Sequence, residues 1–207
     1  MKKDLIITDL TRMRGKRVCI FGIDEHLAGV RPELSHTGID DDYAFENSIE
    51  PFNVVEFNFA QKSKCKPPHT EDWEIDKSHK PRFIRRLSLE EKREFLERIK
   101  EKGIKNMFGA NIHDNQYVNE NEGNRSIGTI KTKNILSVEY SPKEGNKFNY
   151  RMKFLDQNND EYNLPITDLI FRTHCDYLRI EKGMRTNDIS VQLQNKFIEF
   201  ILTRCYI

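Results

Sequence analysis

Hydrophobic and polar positions alternate most regularly in the second half of the chain. In "FNYRMKF", Phe148, Tyr150, Met152 and Phe154 share one parity while Asn149, Arg151 and Lys153 share the other, the period of two of a half-buried strand. "DQNND" is then a turn, and "EYNLPI" returns with Tyr162, Leu164 and Ile166 as a partner strand. Upstream, "SIGTIKTKNILSVEY" supplies Ile127 and Ile130, then Leu136, Val138 and Tyr140 alternating with Ser137 and Glu139. Together these segments predict an antiparallel meander.

The first half is less regular. "RVCIFGI" (Arg17 to Ile23) and "VVEFNF" (Val54 to Phe59) read as strands, and "RFIRRL" (Arg82 to Leu87) is expected to close their sheet. Between the first two, Gly29, Pro32 and Gly38 break any long element, predicting loops with room for one more short strand. "SLEEKREFLERIKEKGI" predicts a helix over 88–102, with Ser88 as cap, Glu90 and Glu91 at the positive dipole end and Gly103 as stop. Leu89, Phe95, Leu96 and Ile99 form its apolar face, and its many charges are expected to be a solvated face. Residues Met107 to Arg125 carry many Asn and little periodicity, so 105–125 is expected to be a connector. The last segment, "NDISVQLQNKFIEFILTRCYI", predicts a helix capped by Asn187, Asp188 or Ser190, with Leu193, Phe197, Phe200 and Ile201 inward. Its apolar end, "CYI", is expected to pair with or pack on the body, or to continue in a longer chain.

Composition allows such a β-rich chain a real core, with 207 residues and 37% hydrophobic content. Lys and Arg number 34 against 33 Asp and Glu, so any attraction to nucleic acid must come from a local patch. Four dispersed cysteines without a CxxC pair fit reduced thiols in a cytoplasmic protein better than a disulfide framework. Cys65 and His69 offer one pair of metal ligands and no second pair stands nearby, so no metal or other cofactor is expected. Cys19 reads as a small buried hydrophobe, and Gly22 as the site of a bulge or tight bend. No run approaches the ~18 apolar residues of a membrane span.

Two sets of short strands, each with a helix and each within about one hundred residues, predict a β-rich α+β chain of two small OB-like β-barrels in tandem. Expected boundaries are 1–104 for the first barrel and 126–207 for the second; a single mixed barrel is the alternative. "TDLTRMRGKRVCIFGID", "VRPEL", "PFNVVEFNF", "PPHTEDW" and "YNLPITDLIFR" together resemble the bacterial dual OB-fold-containing domain family, over Thr8 to Arg172. The resemblance implies two OB-like barrels, a place beside bacterial defence or conflict genes and nucleic-acid recognition. It carries over no catalytic residue.

Candidate chemistry concentrates in "CKPPHTEDWEID", Cys65 to Asp76. From Gln61 to Arg86 eight bases face four acids, with His69, Trp73 and Phe83 interleaved, the mixture a single-strand groove uses. The expected ligand-binding residues are Arg12, Arg17, Arg31, His69, Glu71, Asp72, Trp73, Arg82, Arg85 and Arg151, with single-stranded nucleic acid or a nucleotide-like ligand as partner. Three other accounts compete. The segment is a rigid brace whose Trp73 plugs a core; or the chain is a protein-interaction module without nucleic acid; or "HTED" serves a metal-dependent phosphoesterase, His69 as base and Glu71 with Asp72 as ligands, completed by Asp9, Asp24 and Glu56.

Overall fold

The computed structural model describes residues 1–34, 38–114, 117–145, 147–197 and 202–206, with 106, 195–197 and 202–206 as backbone alone. The chain divides into two compact units, Met1–Ile99 and Lys100–Ile207.

The first unit is built on β1 (Lys2–Arg12), β2 (Arg17–Ile23), β3 (Gly29–Glu33), β4 (Ile39–Asp40), α1 (Asp41–Glu46), β5 (Asn53–Lys62), β6 (Asp72–Ile75), β7 (Arg82–Arg86) and α2 (Leu89–Ile99). β1 pairs antiparallel with β2, β2 with β3, β6 with β5, and β5 returns to β1. The remaining contact, β3 with β6, is parallel. Five strands thus close a ring whose spatial order, counted by ring strands along the chain, is 1-2-3-5-4 and back to 1. Leu5, Ile7, Leu10, Ile20, Val55, Phe57 and Phe59 fill it. β7 adds to β5 outside the ring, so it extends the sheet rather than closing it. All five of its side chains reach solvent at least partly.

β1 is eleven residues long, although its sequence gives no alternation. It bulges at Thr8, between the Ile7↔Gly22 and Asp9↔Phe21 pairs, and Leu5 and Ile7 through Thr11 are buried. A strand buried on both faces and shifted in register loses its period of two. The bulge therefore lies on β1, not at Gly22. A Cβ at Gly22 would stand 3.0 Å from the Ile6 carbonyl oxygen and 3.1 Å from the Leu5 Cβ, so glycine there permits close approach of the two strands. α1 stands where loops are expected; the Asp40 carboxylate caps it by accepting from the Tyr43 N–H at 2.8 Å.

α2 starts as expected. The Ser88 hydroxyl accepts from the Glu91 N–H, and the Glu91 carboxylate accepts from the Ser88 N–H, a reciprocal capping box. It stops at Ile99, before Gly103, and Leu89 is exposed while Phe95 alone is fully buried.

The second unit contains β8 (Lys100–Glu101), α3 (Ile104–Met107), β9 (Ile127–Lys131), β10 (Asn134–Lys143), β11 (Lys147–Leu155), β12 (Glu161–Pro165), α4 (Leu169–Ile180), α5 (Thr186–Phe197) and β13 (Leu202–Tyr206). β10, β11 and β12 form the meander, and β13, β9 and β8 a second three-stranded sheet. Among the described residues these sheets are not joined into a ring. A bulge at Leu136 shifts the β10 register, so Ile135, Val138 and Tyr140 are the inward set. Within 105–125, expected to be a connector, Met107, Phe108 and Val118 join Ile104, Phe154, Tyr162, Leu178 and Leu193 in one buried cluster.

α4 has no counterpart among the expected elements, and α5 begins at Thr186, ahead of its expected caps. Ser190 lies inside it, its hydroxyl accepting from the Tyr140 N–H and donating to the Thr186 carbonyl. The expected C-terminal helix ends at Phe197, and 202–206 pairs as a strand with β9. Phe200 and Ile201 lie outside the described residues, as does the side chain of Phe197.

Candidate nucleic-acid interface

The outward face of β3 carries Arg31 and Glu33, because Val30 and Pro32 point into the ring. Register sets Arg31 opposite Asp72 and Glu33 opposite Glu74 on parallel β6. Arg31 and Asp72 meet as a two-pronged pair, Nε to Oδ1 at 2.6 Å and Nη2 to Oδ2 at 2.7 Å. Both are largely shielded, with side chains 15% and 4% exposed. Burial disfavours the Arg31 charge, but the hydrogen bonds and charge of Asp72 more than offset it and raise the guanidinium's pKa.

The 63–71 loop wraps around this pair. Its Pro67–Pro68 peptide is cis. The Glu71 carbonyl accepts from the Arg31 N–H at 2.7 Å, tying the loop's end to β3. His69 Nδ1 lies 3.0 Å from Arg31 Nη2. A guanidinium can only donate, so Nδ1 is the acceptor of this contact. The Cys65 thiol donates to Asp72 Oδ2 at 3.2 Å. Burial first, then that hydrogen bond, pushes the Cys65 thiol up to about 11. Cys19 on β2 is half-buried rather than fully buried; desolvation pushes its thiol up to about 11, with Arg31 opposing. Both thiols stay protonated at neutral pH and are poor nucleophiles.

Trp73 is half-buried, its ring 5.7 Å from Phe59 and covered by the Lys3 ammonium at 5.1 Å. It packs over the ring strands rather than plugging the core. Glu71 and Asp72 are both buried, and through the Arg31–Asp72 pair the segment clamps β6 to β3.

Charge around this face is uneven. The 13–16 loop and the start of β2 carry Arg14, Lys16 and Arg17, with Gly15 in the left-handed region at φ +72. The end of β5 and its following loop carry Lys62, Lys64 and Lys66. Lys16 reaches Asp42 at 3.3 Å. Arg14, Arg17, Lys62, Lys64 and Lys66 are exposed and have no acidic partner among the described residues. Elsewhere in the unit, expected site residues are committed: Arg12 to Asp41 at 2.8 Å, Arg82 to Glu56 at 3.1 Å and Arg85 to Glu91 at 2.7 Å. Arg151 belongs to the second unit, where it bonds Asn163 across the β11–β12 pair.

Among the described residues no three or more His, Cys, Asp or Glu side chains converge as a cation site. The carboxylates set aside for such a site are engaged otherwise. Asp24 pairs with Lys3 at 2.6 Å, and Glu56 with Lys2 and Arg82. Cys175 is buried while its neighbour His174 is exposed, so they do not form a couple. Among the described residues no helix is long and apolar enough to cross a membrane.

A five-stranded Greek-key ring with one parallel contact, presenting its second and third strands between two loops, is an OB-type barrel. The chain belongs to the dual OB-containing domain family, whose model matches residues 3–206. That membership points to a binding module. Comparison with curated proteins and with solved structures gave no match.

Proposed function

We propose that this chain binds nucleic acid, with the first barrel's β2–β3 face as the groove. The observation that carries the reading is a set of five cations with no acidic partner among the described residues, Arg14, Arg17, Lys62, Lys64 and Lys66. They lie on or beside the two loops that rim the ligand face of an OB barrel. Cations without acidic partners retain their full attraction for phosphates and release counterions on binding. The central Arg31–Asp72 pair is already satisfied and fixes the loop that presents Lys64 and Lys66. Arg31, His69, Glu71 and Asp72 therefore act as scaffold, and Arg17 as a direct contact. The bacterial defence setting implied by family resemblance would make the chain the recognition part of such a system.

The test is anisotropy of labelled single-stranded DNA and RNA 12-mers, titrated with the full chain at rising salt. Binding that weakens steeply with salt, and is lost in an Arg14, Arg17, Lys64, Lys66 to Ala variant that still folds, supports the reading. Salt-insensitive binding, or none at low salt, overturns it. A second reading, a protein partner, is favoured by Ile170, Tyr177 and Ile180, which leave exposed apolar side chains along α4.

A further inference from the structure

Glu33 is anomalous in its setting. It stands on the outward face of β3 in a groove flanked by cations, where a carboxylate repels phosphate. Its side chain is 45% exposed, and the Arg31 Nε stands 3.8 Å from Oε1, beyond hydrogen-bond reach. Arg31 has already spent Nε and Nη2 on Asp72. Among the described residues the Glu33 carboxylate accepts no hydrogen bond. Burial, and then the nearby Asp72 charge, push its carboxyl above the ordinary range against the opposing pull of Arg31, so Arg31 compensates the ionised form only in part.

Phosphates are repelled from Glu33 and drawn to Arg14, Arg17, Lys62, Lys64 and Lys66, which leaves the bases over the floor of the groove. A carboxylate presents two adjacent acceptors and no donor. Guanine alone among the common bases offers two adjacent donors, N1–H and N2–H, on its Watson–Crick edge. Adenine and cytosine place a ring-nitrogen acceptor beside their amino group, and thymine or uracil flank one imino donor with carbonyl oxygens. In a duplex the guanine edge is occupied by its partner, so the match requires a single strand.

We propose that Glu33 is the base-reading residue of this groove, its carboxylate accepting the N1–H and N2–H pair of a guanine in single-stranded nucleic acid. The proposal rests on the nucleic-acid reading of the face. It assigns affinity to the rim cations and sequence preference to one carboxylate.

The experiment uses the full chain and a labelled thymidine 12-mer, plain or with one central guanine, inosine, adenine or cytosine. Wild type is expected to bind the guanine strand about tenfold more tightly than the plain strand. Inosine, which lacks the N2 amino group, loses most of that gain. Glu33→Gln, checked for folding by circular dichroism, should bind the plain strand at least as well as wild type and lose the guanine preference. Equal wild-type binding to all five strands overturns the proposal while leaving the groove reading intact, as does a guanine preference that survives Glu33→Gln. Failure of wild type to bind any strand overturns both.

Discussion

Two cation-rich regions of the first unit differ in one respect that decides their use. Strand β7 carries Arg82, Arg85 and Arg86, and each faces a carboxylate: Glu56, Glu91 and Glu50. The loops after β1 and β5 carry Arg14, Arg17, Lys62, Lys64 and Lys66 without such partners among the described residues. Along the sequence, Lys62 to Arg86 reads as one basic stretch. In space it separates into a neutralised sheet edge and an uncompensated rim. A count of charges therefore does not define a patch; their pairing does.

The sharpest way to break this comparison is to unpair a charge. Arg31→Ala leaves Asp72 shielded and uncompensated, and should cost roughly 3–5 kcal/mol in denaturant unfolding. Arg82→Ala, at a solvent-screened pair, should leave the unfolding midpoint nearly unchanged. Equal effects would show that the Arg31–Asp72 clamp does not brace the barrel.

On the rim the expected change is in binding, not stability. Lys64→Ala with Lys66→Ala should reduce the slope of log affinity against log salt by roughly 1.4 for single strands. Arg82→Ala with Arg85→Ala should leave it unchanged. Reversal of these results would move the groove to β7.

Acid titration probes the paired class again. Burial alone would raise the Asp24 carboxyl, but the hydrogen bond from Lys3, the Ala28 and His26 N–H groups and the Lys3 charge hold it below the ordinary range. A depressed folded value contributes stability above the unfolded pKa of about 3.9, lost as pH falls through the folded value. Lys3→Met should shrink that acid-dependent loss, measured as melting temperature against pH.

Glu33 gives the smallest effect, with the opposite sign. Its folded pKa is raised, so its ionisation weakens the fold as pH rises through that value, whereas below about 4.3 the cost vanishes. Glu33→Gln should therefore melt slightly higher than wild type at pH 7 and converge with it in acid. A lower melting temperature at pH 7 would mean that the carboxylate is structurally engaged.

Some elements were legible because a single local rule governs them. β2 spans Arg17–Ile23 as its β-branched run and bounding glycine predict, and the Ser88/Glu91 box opens α2. β1 and α4 escaped because their buried faces are not simply apolar. β1 buries Thr8, Asp9 and Thr11 beside its hydrophobes. α4 turns Arg172, Asp176 and Arg179 toward the meander, where Asp176 accepts from the Tyr140 and Tyr150 hydroxyls and the guanidiniums cover Tyr150 and Phe148. Periodicity that scores only hydrophobicity is blind to such faces. Within the candidate site, residue type alone singles out "HTED" and Arg31, but the pairing of Arg31 with Asp72 across 41 positions is not written in the sequence. Glu33 and the rim lysines carried no signal beyond their charge.

By itself the sequence determined the β-rich class, the family and the residues able to carry charge, since local patterning and family motifs are properties of adjacent positions. Which charges cancel is a property of the folded chain. Closure of the ring and the parallel β3–β6 register bring Arg31 to Asp72 and leave the loop cations without an acidic partner among the described residues. Electrostatic interaction depends on distance and burial, and neither is written in the order of residues.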